Sequence, residues 1–193
     1  MSLHITFELS DSDLEHFKQV MISAREKTSG LDEVTIIDNA RELLFQVWHS
    51  ETSDFIRERM NRLENMIGMA LDKGWALDEE DRLRVIQALA YFSEPEDLIP
   101  DDIPGLGYLD DAIMIEMVTA ELQHEIQAYR DFCVFRAAET NRRGEEAREL
   151  ERSDWLEERR KQLHSRMRRR RSKRGGGGGG GGGSPFSLFS KEP

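Results

Sequence analysis

Apolar residues return every three or four positions through most of the first 140 residues, the spacing of one helix face. Leu14, Phe17, Met21 and Ala24 follow this rule behind Ser10–Asp13, which supply capping side chains and early negative charge; Gly30 ends that helix. Ile36, Ala40, Leu43, Leu44 and Val47 mark a second helix from about Asp32 to Trp48. After a break rich in capping residues at Ser50–Asp54, a third helix carries Phe55, Ile56, Met60, Leu63, Ile67 and Leu71 and stops at Gly74. Its other side, Arg57, Arg59, Arg62 and Glu64, reads as a solvated face. Asp78 caps a fourth helix with Val85, Ile86, Leu89, Ala90 and Phe92 on its apolar side. A fifth starts near Asp110-Asp111 and runs towards Arg136; Ala112–Val118 is apolar except for Glu116, as expected of a central helix buried on more than one side. Only His4–Leu9 alternates, and one β-prone segment without a partner strand predicts an extended arm lying on helices. The pattern predicts an all-α domain of about five core helices.

Beyond residue 140 the pattern fades. Leu150, Trp155, Leu156, Leu163 and Met167 are the few apolar anchors in a highly charged stretch. Glu and Arg within i,i+4 reach support a helix, and so few anchors predict one outside the core. Gly175–Gly183 then form a linker with a random-coil span of roughly 16 Å. The chain closes on Ser184–Pro193, which holds Phe186, Leu188 and Phe189. The expected division is a helical domain over 1–140, a charged, basic-ended helix over 141–174, and a disordered linker and tail over 175–193.

Between the fourth and fifth helices the composition changes abruptly. Pro95, Pro100 and Pro104 fall within ten residues, followed by Gly105 and Gly107. The prolines fix φ and push Ile99 and Ile103 towards extended geometry, while the glycines permit positive φ. Asp97 and Asp101 can accept backbone N–H bonds in Asx turns, and Asp110 and Asp111 suit the first turn of the next helix. Leu98, Ile99, Ile103, Leu106 and Leu109 would anchor this turn on the helices, an account that needs no ligand.

The same stretch, residues 91–112, resembles the YkvA-like family (domain of unknown function 1232). Tyr91, Pro95, Asp97, Leu98, Ile99, Pro100, Asp101, Ile103, Pro104, Leu106, Gly107, Leu109, Asp110 and Asp111 fit that family's pattern. One departure is Ser93-Glu94-Pro95, where the family usually has Ser directly before Pro. The resemblance implies a helical hairpin around a proline-rich turn within the 1–140 domain, and no activity. Many members look membrane-associated through apolar flanking helices. Here Glu116, Glu121, His124 and Glu125 interrupt the helix after the motif.

Charge divides the chain more sharply than its net −11 suggests. Residues 1–158 carry a balance of −21 and residues 159–193 one of +10. The basic tract Arg166, Arg168, Arg169, Arg170, Arg171, Lys173 and Arg174 suits phosphate contact, since arginine binds phosphate bidentately. Nucleic acid or an anionic membrane surface would satisfy it equally, as would the acidic body itself; without interleaved aromatics, base stacking is not expected. No run of 18 apolar residues predicts a membrane span, and Met1–Leu9 lacks a basic leader region. Cys133 is alone, which excludes an intrachain disulfide and fits a reducing cytoplasm, with peripheral attachment to a membrane as the alternative.

Three chemistries compete with an adaptor role. Asp97, Asp101, Asp110 and Asp111 could converge on Mg²⁺ or Ca²⁺, hard cations that take oxygen ligands, in a cation-dependent protein or hydrolase. Asp13/His16 and Glu121/His124 have the i,i+3 spacing of carboxylate-bridged metal sites, with Glu42 or Glu64 as further ligands, but they read first as surface charge. Cys133 lies on an apolar stripe as a small hydrophobe, and no nucleophile elbow or phosphate loop occurs. The expectation is therefore a non-enzymatic interaction protein with no cofactor. It presents the Asp97–Asp111 turn to a protein partner and its basic tract to an anionic surface.

Overall fold

The computed structural model describes residues 8–93, 99, 103, 106–143 and 154–175. These form seven α-helices and one 3₁₀ turn, with no strand among them, so the chain is all-α. The helices are α1 (Asp11–Lys27), α2 (Glu33–His49), α3 (Asp54–Leu71), α4 (Glu79–Leu89), α5 (Leu109–Glu121), α6 (Gln123–Arg143) and α7 (Asp154–Gly175); the 3₁₀ turn, Ala90–Ser93, follows α4 directly. The arm expected at His4–Leu9 falls mostly outside the described residues, as do 144–153 and 176–193.

Local chemistry sets most of the helix starts. Ser10 and Asp13 form a reciprocal capping box at α1, each satisfying a backbone N–H of the other's turn. Asp32, Ser53 and Asp78 accept the N3 amides of α2, α3 and α4. Each such cap is worth about 1 kcal/mol. The start of α5 differs: Tyr108 precedes it in the left-handed region, φ 66°, with no side-chain cap. The preceding turn is closed instead by the Leu106 and Gly107 amides, which both donate to the Ile103 carbonyl.

The core runs through all these helices. α3 packs on α2, α4 and α5, and the 3₁₀ turn packs on α1 and α2. Ile56, Met60, Leu63 and Met66 of α3 meet Met114, Ile115 and Val118 of α5 in fully buried positions. α5 is buried on most sides, with Glu116 reaching outward to Arg59 and Arg62. The α3 face that reads as solvated is thus partly tied to α5.

Two expectations need correction. The helix predicted to run unbroken towards Arg136 is two helices, interrupted at Leu122. The Thr119 hydroxyl bonds back to the Ile115 carbonyl, a competing bond that bends helices. The charged C-terminal helix, expected outside the core, is part of it. Leu156, Leu163 and Met167 of α7 are buried in the common core, along an α6 seam of Glu125, Ala128 and Phe132. The two helices run antiparallel: Arg159 stacks on Phe135, Arg166 pairs with Asp131, and Arg171 pairs with Glu125. Trp75, in the α3–α4 connection, has no exposed surface and joins this seam against Phe132 and His164.

Candidate functional site

The inner stripe of α7 is Leu156, Arg160, Leu163, His164, Met167 and Arg171, spaced by three or four residues except at the adjacent pair 163–164. Half of that stripe is polar. Its arginine stems lie along apolar surface while their guanidinium heads find carboxylates. Three helices meet at one ionic junction near the acidic first turn of α4. Arg171 Nη1 donates to Glu125 Oε1 of α6 at 3.0 Å and also to Asp81 of α4, and both acids have no exposed surface. Arg84 approaches Glu125 at 3.5 Å, and Arg168 pairs with Asp78 and Asp81.

Burial sets the electrostatics of this junction. Desolvation pushes the Asp81 carboxyl up, reinforced by the nearby Asp78 charge and opposed by Arg171. Burial works against the Arg171 charge, but its bonds to Asp81 and Glu125 outweigh it and hold the guanidinium above its usual value. His164 is lowered to about 4, first by burial and then by the positive charge of Arg168. At Asp131, burial is overcome by the bond from Arg166, and the carboxyl is held below its ordinary range.

The basic tract is therefore divided. Arg166, Arg168 and Arg171 pair with acids of the body. Arg169, Arg170 and Lys173 are exposed on the opposite side of α7. The Arg174 side chain lies outside the described residues.

Of the four carboxylates considered as cation ligands, Asp97 and Asp101 fall outside the described residues, as do Pro95, Pro100, Pro104 and Gly105. Asp110 and Asp111 are buried in the first turn of α5. Asp110 Oδ2 accepts the Ile99 amide at 3.1 Å, so this carboxylate ties the proline-rich segment to α5. Among the described residues no three His, Cys, Asp or Glu side chains are grouped to hold a metal ion. Cys133 is half-buried, and burial raises its thiol, the reverse of what a thiolate nucleophile needs. Its neighbour Arg136 instead serves Asp72, whose carboxyl stays low despite burial because Arg136, the Trp75 amide and Tyr129 all donate to it.

Residues 81–117 match the family model described as a protein of unknown function, DUF1232. Over this segment the chain is similar to the DUF1232 family. That segment begins at Asp81, the buried partner of Arg171, and ends at Met117, beside the Glu116 that binds Arg59 and Arg62. No curated protein and no solved structure matches the chain. Within the DUF1232 segment Ile103 and Leu106 are exposed at the turn, whereas Tyr91, Phe92 and Tyr108 are buried.

Sequence reasoning identified the basic tract and the signature turn but missed the junction. Asp81 read as an ordinary helix-start acid and Glu125 as an interruption in a helix. Their partner, Arg171, lies 90 and 46 residues away. The signal available was the size of the charge split between the two parts of the chain.

Proposed function

We propose that the protein is a non-enzymatic helical interaction module whose α7 contacts a phosphate-bearing anionic surface. The observation that carries this reading is the division of α7: Arg166, Arg168 and Arg171 fix the helix to the acidic body, while Arg169, Arg170 and Lys173 face solvent with no acidic partner among the described residues. A rigidly seated helix holds these cations in place, so little side-chain and backbone freedom is lost on contact. The exposed Ile103 and Leu106 of the DUF1232 segment support a second contact, with a protein partner, at the signature turn.

No helix among the described residues is long and apolar enough to cross a membrane. A lipid surface would therefore be met peripherally, through charge. Phosphodiesters of a nucleic acid offer the same chemistry. The test is a salt titration of binding to anionic vesicles and, in parallel, to duplex DNA. Three phosphate contacts on a duplex predict a slope of log affinity against log salt of about −2.7. A response to one surface alone identifies the source of the phosphate. Binding to neither at low salt contradicts the reading.

A further inference from the structure

Arg168, Arg169, Arg170 and Arg171 directly precede Ser172, and Lys173 and Arg174 follow it. No other serine or threonine in the chain comes straight after two consecutive basic residues. Ser172 is exposed near the end of α7, which closes at Gly175. Ser165 is exposed on the same helix but follows Gln162, Leu163 and His164. The arginines around Ser172 face two ways. Arg171 is drawn inward by Glu80, Asp81 and Glu125. Arg169 and Arg170 are exposed. Residues three and four apart are neighbours on a helix surface, so Arg168 and Arg169 flank the Ser172 hydroxyl.

We propose that Ser172 is a phosphorylation site, and that its phosphate cancels the outward charge of α7 and switches off contact with the anionic surface. The inference rests on the reading of α7 as an anion-contacting helix. The modifying enzyme is a protein kinase whose substrate groove carries carboxylates, because the groups it meets ahead of the hydroxyl are the exposed guanidiniums of Arg169 and Arg170. Helix ends open at little free-energy cost, so the last turn can enter such a groove while Leu156, Leu163 and Met167 keep the rest of α7 seated. In the transfer, Ser172 Oγ bonds to the γ-phosphorus of a nucleoside triphosphate. The bond from that phosphorus to the leaving diphosphate breaks, the diphosphate takes the electron pair, and the hydroxyl proton passes to the kinase's base. Phosphoserine carries about −1.5 to −2 at pH 7, which leaves Arg169, Arg170 and Lys173 with roughly one uncompensated positive charge. The end of a helix disfavours an anion, and charge-assisted hydrogen bonds from Arg168 and Arg169 offset that cost.

The test treats the full chain with magnesium ATP and a serine kinase selective for arginine two and three residues ahead of its target. Mass spectrometry should map the phosphate to Ser172, and Ser172→Ala should take none there. No phosphate, or phosphate only at Ser165 or another residue, overturns the proposal. The modified and unmodified chains are then compared on duplex DNA and on anionic vesicles. On DNA, the slope of log affinity against log salt should fall from about −2.7 to about −0.9, as three phosphate contacts become one. Kinase-treated Ser172→Ala should keep the steeper slope. Amide exchange across α7 upstream of Arg168 should be the same with and without the phosphate. An unchanged slope in the phosphorylated chain overturns the switch alone. Lost protection upstream of Arg168 also overturns it, because the phosphate would then act by unseating the helix. An unmodified chain that binds neither surface overturns the anion-contact reading itself, and the switch with it.

Discussion

Arg171 bridges two carboxylates that have no exposed surface. Removing one partner from a buried ionic cluster leaves uncompensated charge and costs about 3 kcal/mol or more. Arg171→Ala should therefore lower stability by about 3 kcal/mol in urea unfolding, whereas Arg170→Ala, on the exposed side, should change it by less than about 0.5 kcal/mol. His164 supplies a pH dependence. Its folded value of about 4 lies below its ordinary 6.5, so the fold favours the neutral ring. The unfolded chain then binds the proton more readily, and the contribution present above pH 6.5 is lost as pH falls towards 4. Charges facing the ring are Arg168 and Arg160, which favour the neutral form, and Asp78 and Glu157, which oppose them. Asp81 acts in the other direction: its raised carboxyl favours the fold as acid protonates it. Thermal unfolding from pH 7 to 4 should thus show a steeper loss in the parent chain than in His164→Gln. Equal slopes would mean that the ring takes up its proton in the folded protein as readily as in the unfolded chain.

At the scale of elements, the helices whose signals are local were legible in the sequence. Ser10, Asp32 and Asp78 cap within their own turns, and the apolar faces of α1 to α4 repeat at helical spacing. The signature turn was legible as a turn, yet its closure by Asp110 on the Ile99 amide depends on a residue 11 positions away. α7 was misread because periodicity counts apolar residues, and Arg160, His164 and Arg171 occupy half of its inner stripe. The break at Leu122 lies just beyond Thr119, whose hydroxyl bonds back to the Ile115 carbonyl, in a stretch where Glu116, Glu121, His124 and Glu125 interrupt the apolar pattern. The packing of α7 makes a prediction at this scale. It joins the body chiefly through α6, so it can open as a unit without unfolding α2, α3 or α5. Leu163→Ala, which removes a buried side chain, should accelerate amide exchange across Asp154–Gly175 and leave α3 protected. Uniform acceleration through α3 would show instead that α7 and the body form one cooperative unit.

Across the whole molecule, the acidic body and basic end are complementary parts of one fold. Pairing uses Arg166, Arg168 and Arg171 and leaves Arg169, Arg170 and Lys173 outward. The body's negative excess would repel an anionic surface approaching from most directions, so orientation and salt should both matter to contact. The most direct measurement compares two full-length triple variants. One replaces Arg169, Arg170 and Lys173 by Gln; the other replaces Arg166, Arg168 and Arg171 by Gln. Affinity for anionic vesicles and duplex DNA is read beside amide exchange in α7. The outward variant should lose binding and keep α7 protected, while the inward variant should lose α7 protection. Undiminished binding by the outward variant would contradict the division of labour along α7, and with it the proposed anionic contact.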